Sequence, residues 1–154
     1  MNIREIQAKD VEAVSSVCLV SFSESIADSL SKEGSNTFSQ IASTDAFRAR
    51  IKEDNLILVA EENESIKGVV ELKQGRHIAM LFVEPESQSK GIGRKLLLSA
   101  LRHSRVNTVT VSASLPSVPA YEKYGFKCSG DIAESAGLVY QPMEIELNEM
   151  IKSD

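Results

Sequence analysis

Two glycines stand in the segment Gln88-Ser89-Lys90-Gly91-Ile92-Gly93-Arg94-Lys95, between an apolar run and a leucine-rich stretch with helical spacing. Where a strand leads into a helix in this way, the first N–H groups of the helix have no intrahelical partner and the helix dipole favours an anion. The spacing is not that of a Walker loop, and it fails the dinucleotide pattern GxGxxG because Leu96 occupies the third glycine position. On its own the turn indicates either a phosphate site of another kind or a plain tight turn.

Basic residues are concentrated around this turn. Residues 87–106 carry five bases and no acid, so this segment has a charge of +5, and the chain's net charge of −5 leaves −10 for the rest. The five are Lys90, Arg94, Lys95, Arg102 and Arg105. A short basic segment in an acidic protein favours a small polyanionic ligand over a nucleic-acid duplex, because duplex binding needs Lys and Arg in surplus. The structural alternative is a solvated helix face.

The pattern of apolar residues predicts the elements that position the turn. Asn2 to Gln7 is strand-like, and Val11, Val14, Cys18 and Phe22 then follow a helical period. Ser23 to Ser43 is rich in serine and predicts a helix end followed by an irregular segment, either a lid or a connection. Thr44 to Glu53 predicts a second short helix.

A different periodicity follows in the second half. Three β-rich runs, 55–61, 65–72 and 77–83, predict an antiparallel meander. After the turn come a helix from Gly93 to about Ser104, a strand over 107–114, a short helix over 117–124 and two strands over 126–129 and 138–147. The order βααβββαβαββ is that of a mixed α/β layer.

Length and composition are those of one ordinary globular domain, which we expect to span 1–154. The chain has 154 residues, of which 42% are hydrophobic and 25% charged, and this argues against disordered and coiled-coil classes. We find no run of about 20 apolar residues and no signal-peptide layout, so we expect a cytoplasmic protein without a membrane partner. Cys18 and Cys128 lie in no ligand cluster, so we expect no metal site and two buried cysteines.

Three motifs together resemble the GNAT superfamily of N-acetyltransferases: Val83-x-Pro85, Gln88-x-x-Gly91-Ile92-Gly93, and Tyr121-Glu122-Lys123-Tyr124-Gly125-Phe126. The resemblance covers nearly the whole chain. It implies a mixed, mostly antiparallel sheet of about seven strands flanked by about four helices. It also implies a sheet that splays near its middle, with the pantetheine arm in the split and the pyrophosphate on the amides of the turn. Acetyl-CoA is then the expected donor.

The resemblance also implies which residues bind this co-substrate. The expected set is Leu81, Phe82, Val83, Gln88, Ser89, Lys90, Gly91, Ile92, Gly93, Arg94, Lys95, Ser114, Tyr121 and Lys123. Ser114 stands where many members have an asparagine that orients the pantetheine, so this contact is expected in a weaker form. Lys123 is expected to contact a phosphate or to face solvent.

Acetyl transfer to an amine also needs proton transfers. An alkylamine with a pKa near ~10.4 is mostly protonated at neutral pH and must lose a proton, while the departing thiolate needs one. Tyr121 occupies the family position of the acid that protonates the sulfur, and a core aromatic is its structural alternative. His77, with an ordinary pKa of ~6.5, and Glu71 are the candidate bases, although water can serve and both side chains have structural alternatives.

We therefore expect an N-acetyltransferase that moves an acetyl group to a primary amine, on a small molecule or a peptide, by direct attack in a ternary complex. The alternative is a catalytically silent acyl-CoA-binding sensor or scaffold of the same fold. Nucleic-acid binding by the basic segment fits less well, because the rest of the chain is acidic. A homodimer is possible, and the family analogy puts Ser23 to Ser43 beside the acceptor pocket.

Overall fold

The computed structural model describes residues 1–26, 30–88 and 90–147. In chain order its elements are β1 (Asn2–Glu5), α1 (Val11–Ser25), α2 (Lys32–Ile41), α3 (Thr44–Ile51), β2 (Asn55–Glu62), β3 (Ser65–Lys73), β4 (His77–Val83), α4 (Ile92–Leu101), β5 (Thr108–Ser114), α5 (Val118–Tyr124), β6 (Lys127–Cys128), β7 (Ala133–Ser135) and β8 (Leu138–Glu146). None of the helices in these ranges is both long enough and apolar enough to cross a membrane.

All described strands belong to one sheet, whose main path runs β1-β2-β3-β4-β5-β8-β6, while β7 pairs with β8 off this path. Every pairing is antiparallel except β4 with β5, which run parallel. The expected mixed, mostly antiparallel α/β fold is confirmed. The eighth strand is β7, which the sequence analysis missed because it is only three residues long.

Two hydrophobic clusters cover the two faces of the sheet. On one face α4 contributes Leu96, Leu97 and Leu101, which recur at helical spacing, and it packs against β2, β3 and β4. On the other face α1 and α3 bring residues such as Val14 and Phe47 against β2, β3 and β4. Because β2 is covered on both sides, its sequence is a continuous apolar run rather than an alternating one.

The helix α2 corrects the expectation of an irregular segment between Ser23 and Ser43. The Ser31 hydroxyl accepts a hydrogen bond from the Gly34 N–H at 3.2 Å and so caps the helix, while Phe38 is buried beneath it. Gly34 is weak for a helix by propensity, but a Cβ there would overlap the Gly137 carbonyl in the β7–β8 turn. The close approach of α2 to this turn therefore requires glycine.

The two cysteines lie in different environments. Cys18 is buried in α1, with its sulfur 3.5 Å from that of Met80. Cys128 is exposed on β6, at the end of the strand order, so the expectation of a buried side chain is wrong for this residue.

Candidate active site

The sheet splits between β4 and β5. The two strands pair only at His77 with Thr110 and at Ile78 with Val111, and then separate. A cavity of about 580 Å³ lies where they diverge, and both strands line it, through residues 78–82 and 111–114. The split implied by the resemblance is therefore present.

The edge of β4 that faces the split carries backbone N–H groups. Glu84 N donates to Lys67 O at 2.8 Å, so this pair is hydrogen bonded across β3 and β4. In an antiparallel pair the bonded and non-bonded positions alternate. The N–H groups of Leu81 and Val83 therefore face the split rather than β3, where they can donate to a ligand oxygen.

Two side chains bind the last carbonyl of β4. The Val83 carbonyl accepts hydrogen bonds from the buried Ser21 hydroxyl at 2.9 Å and from Gln88 Nε2 at 3.0 Å. Ser21 thereby ties α1 to the rim of the split. Gln88 ties the glycine turn to the strand before it.

Gly91 and Gly93 shape the N-terminus of α4. Gly91 has φ of +80°, a left-handed conformation that glycine adopts without strain, and it supplies no side-chain cap. Standard helix geometry leaves the N–H groups of Ile92, Gly93 and Arg94 without an intrahelical acceptor. At Gly93 a Cβ would lie 2.9 Å from the Tyr124 hydroxyl, so glycine lets that ring cover the turn.

A second cavity, of about 700 Å³, opens over this turn. Its wall includes Gln88, Gly91, Gly93 and Arg94 from the turn, together with Tyr124 from α5. It shares Ile26, Leu81, Ser117 and Tyr121 with the cavity in the split. The two cavities are therefore adjacent, and one extended ligand can run from the helix terminus into the sheet.

The five bases of the basic segment divide between the two ends of α4. Lys90, Arg94 and Lys95 are exposed at the N-terminal end, and Lys123 lies on the wall of the second cavity. A helix of ten residues is about 15 Å long, so Arg102 and Arg105 lie far from the turn. Arg105 instead pairs with Asp54. Of the five bases, only Lys90, Arg94 and Lys95 are therefore placed to add positive charge at the glycine turn.

Tyr121 lies where the two cavities meet. Its side chain is buried, with its ring edge-on to Tyr124 and Phe126 at centroid distances of 6.1 and 5.3 Å. Its hydroxyl has no hydrogen-bond partner among the described residues and is not sealed from the cavities. Burial raises the pKa of Tyr121, so the phenol keeps its proton at neutral pH and can donate it.

His77 lies at the closed end of the split rather than on a cavity wall. Its Nδ1 is 2.8 Å from the Thr110 hydroxyl, and these two residues form the β4–β5 pair that lies farther from the split. Burial lowers the pKa of His77, and the neighbouring positive charges of Lys73 and Arg76 act in the same direction. The structure does not bring this imidazole to Tyr121.

Glu71 is buried on β3 in an ion pair with Arg50. Both carboxylate oxygens accept from Arg50 Nε, at 2.9 and 3.1 Å. Burial raises the pKa of Glu71, while the charge of Arg50 opposes the shift. The carboxylate lines neither cavity, and its partner also donates from Nη1 to the Ile41 carbonyl at 2.8 Å. Glu71 therefore connects the sheet to the helices above it.

The remaining expected residues follow the split and the turn. Ser114 lines the cavity in the split and its hydroxyl bonds that of Ser117. Leu81 and Phe82 lie on the same wall, Val83 lies on the wall of the second cavity, and Ile92 is buried at the start of α4. Ser89 lies outside the described residues.

The sequence analysis did not single out Ser117, Ser21 or Tyr124 as site residues. Ser117 precedes Tyr121 by four positions, and this helical spacing was the available signal. Ser21 had no such signal, because its contact with Val83 spans 62 residues. Tyr124 belongs to the motif of α5, but the motif alone does not distinguish a site residue from a core aromatic.

Comparisons with known proteins identify the family and the fold of the chain. A family model, the acetyltransferase (GNAT) domain, matches residues 26–147. The chain is also similar to UPF0039 protein C11D3.02c of Schizosaccharomyces pombe, with 31% identity over 84 residues. That match spans 51% of this chain and 56% of the yeast protein, so it covers about half of each.

Solved structures resemble nearly the whole chain. One is a GCN5-related N-acetyltransferase, described as aminotransferase, class II, from Rhodopseudomonas palustris, with a TM-score of 0.82, 22% identity and 95% of each chain covered. Another is the PaiA N-acetyltransferase of Thermoplasma acidophilum in complex with coenzyme A, with a TM-score of 0.77 and 24% identity over 94% of this chain and 98% of that one. At such identities these likenesses show the fold.

Proposed function

The chain belongs to the GNAT acetyltransferase family, and from this premise we propose that it transfers the acetyl group of acetyl-CoA to a primary amine by direct attack in a ternary complex. The observation that carries the proposal is the pair of adjacent cavities, which join the N-terminus of α4 to the split between β4 and β5. Acetyl-CoA would supply an acetyl group activated as a thioester. The chain supplies its binding, its orientation and one proton.

The residues around the turn fit the phosphates of CoA. The free N–H groups at the start of α4 and the positive end of its dipole favour a diphosphate. Lys90, Arg94 and Lys95 add positive charge around the same turn, and Lys123 adds it on the opposite wall. Glycine at 91 adopts the left-handed backbone of the turn, and glycine at 93 makes room for the Tyr124 hydroxyl beside it.

The split fits the pantetheine arm and the thioester. Its walls are mostly apolar, with Ser114 and Ser117 as neutral hydrogen-bonding groups. The N–H groups of Leu81 and Val83 would stabilise the negative charge that develops on the carbonyl oxygen during attack. These donors are fixed by the strand, so the protein needs little reorganisation during the reaction.

Tyr121 would provide the proton for the departing sulfur. The amine nitrogen forms a bond to the acetyl carbon, the carbon–sulfur bond breaks, and the thiolate takes the phenolic proton. The amine loses its surplus proton to water, because neither His77 nor Glu71 lines the cavities. The phenolate recovers its proton from solvent after the products leave.

The test is an assay of free thiol release from acetyl-CoA against a panel of primary amines, with mass spectrometry of the amine product. We expect amine-dependent thiol release and a product that has gained one acetyl group. Calorimetry with acetyl-CoA is run in parallel. Tight acetyl-CoA binding without turnover of any amine would instead support the silent sensor or scaffold.

A further inference from the structure

The cavity in the split extends beyond Tyr121 into a space that α1, α2 and the β7–β8 hairpin enclose. Its aromatic wall is built from three side chains: Phe22 stacks on Phe38 with centroids 4.1 Å apart, and Phe38 meets Phe82 edge-on at 5.3 Å. One further aromatic residue, Tyr140, and several aliphatic and small neutral residues complete this space: Ile26, Leu30, Thr37, Ile41, Ser135, Ala136, Leu138 and Val139. An acceptor that approaches the thioester from this side contacts an apolar surface.

The described residues that line the cavity include no Asp, Glu, Lys, Arg or His. Glu24 on α1, Lys32 and Glu33 on α2 and Glu134 on β7 are exposed and lie outside the lining. Glu12 on α1 and Glu144 and Glu146 on β8 also lie outside it. Behind the wall, Arg50 holds the Ile41 carbonyl and Glu71 together. The described cavity therefore offers an ammonium group neither a carboxylate partner nor a base.

An acceptor site without charged side chains favours amines of low basicity. Burial of an unpaired ammonium group in an apolar site is costly, so the amine must enter without its extra proton. At pH 7 an alkylamine with a pKa near ~10.4 is neutral in about one molecule in 2,500, whereas an α-amine with a pKa near ~7.8 is neutral in about one in seven. The difference in available nucleophile is on the order of 300-fold.

We propose that the acceptor is a small, weakly basic primary amine carried on an aromatic or aliphatic body, rather than a polycation. This inference rests on the proposed acetyl transfer and names its substrate class. The net charge of −5 alone would favour a cationic acceptor such as a polyamine, whereas the described lining of the cavity carries no charge.

The test varies body and basicity independently. Four probes are compared at saturating acetyl-CoA by thiol release: phenylalaninamide, glycinamide, phenethylamine and spermidine. The first two share an α-amine and differ in the apolar body, and the first and third share an aromatic body and differ in amine pKa.

We expect phenylalaninamide to have the highest kcat/KM at pH 7. It should exceed glycinamide by about tenfold or more, because the apolar cavity buries an aromatic side chain. It should also exceed phenethylamine at pH 7, with the gap closing as the pH rises towards 9. Equal values for phenylalaninamide and glycinamide, or a gap to phenethylamine that does not change with pH, would contradict the proposal.

A pair of matched variants tests the role of neutrality in the wall. Ser135 is exposed on the short strand β7 and lines the cavity, so its substitution should not disturb folding. Ser135→Glu should raise the kcat/KM for spermidine relative to Ser135→Gln, which has the same size without the charge. Equal spermidine activity in the two variants would overturn the proposal.

Asp28 lies outside the described residues, and Asp28→Asn tests whether its carboxylate serves a cationic acceptor. We expect the ratio of phenylalaninamide to spermidine activity to stay unchanged. Preference of the unmodified protein for spermidine, lost in Asp28→Asn, would overturn the inference while acetyl transfer stands. Thiol release with none of the four amines would count against acetyl transfer itself.

Discussion

The replacement Tyr121→Phe separates catalysis from packing at the centre of the site. The phenol is buried between Tyr124 and Phe126, and its hydroxyl has no hydrogen-bond partner in the part of the chain that the structure describes. A typical protein hydrogen bond contributes about 0.5–1.5 kcal/mol to stability, and here no such bond is lost. The midpoint of thermal unfolding should therefore stay the same.

The catalytic effect of the same change should be large. A positioned general acid contributes about 10²–10⁴-fold to a rate, so we expect kcat to fall by at least about 10²-fold. Acetyl-CoA affinity should change little, because the ring remains. Burial raises the pKa of Tyr121, and an acid acts below its pKa, so the unmodified enzyme should keep its kcat as the pH rises towards the ordinary tyrosine value of about 10.

The assay measures thiol release with the best amine of the panel, beside calorimetry with acetyl-CoA and thermal unfolding. Tyr124→Phe is the matched control, because it removes a hydroxyl from the same helix over the glycine turn. We expect that variant to alter the KM for acetyl-CoA more than kcat. A Tyr121→Phe enzyme with undiminished kcat would refute the assignment of the acid.

Three further predictions concern charge. Arg94→Gln should raise the Kd of CoA several-fold in calorimetry, whereas Arg105→Gln at the far end of α4 should not; equal effects would contradict a site at the N-terminus. Glu71→Gln leaves a buried guanidinium without its counter-charge, so chemical denaturation should show a loss of about 3 kcal/mol, at the low end for such pairs because the arginine side chain is 20% exposed. Its kcat per folded molecule should be retained, and loss of kcat without loss of stability would instead identify a base. Asp10 accepts hydrogen bonds from the Arg4 guanidinium and the Gln7 N–H, each at 2.7 Å, and these bonds lower the pKa of its carboxyl group. Its contribution to stability is therefore present above the ordinary pKa of 3.8 and is lost as the pH falls through the lowered pKa, so the free energy of unfolding should fall less steeply between pH 5 and pH 2 in Asp10→Asn; identical curves would exclude this role.

Local sequence patterns predicted the fold wherever one element carries one strong signal. The bounds of β4 agree with its β-rich run, which Pro85 ends, and α4 follows its leucine spacing. Helix α2 was not predicted, because much of its stability comes from contacts outside the helix. Phe38 is buried, and Gly34 contacts a turn about 100 residues later in the chain, while Ser31 caps the N-terminus. Such tertiary contacts outweigh propensity and leave little trace in a local window.

The residues of the candidate site were also predictable only where the signal is local. The glycine turn was predictable because its geometry depends on residues that are adjacent in sequence. The number of bases at the turn was not predictable from a charge count, because the full length of α4 separates Arg105 from the turn. The partner of Glu71 lies 21 residues away on α3, so the sequence could not distinguish a base at the cavity from a buried ion pair.

The central claim is that the N-terminus of α4 holds the diphosphate of CoA. Amide NMR of the ¹⁵N-labelled protein, titrated with CoA and in parallel with pantetheine, which lacks the diphosphate, tests it residue by residue. We predict large shifts for the amides of Ile92, Gly93 and Arg94 with CoA and small ones with pantetheine. Saturable CoA binding that leaves these three amides unshifted would contradict the claim.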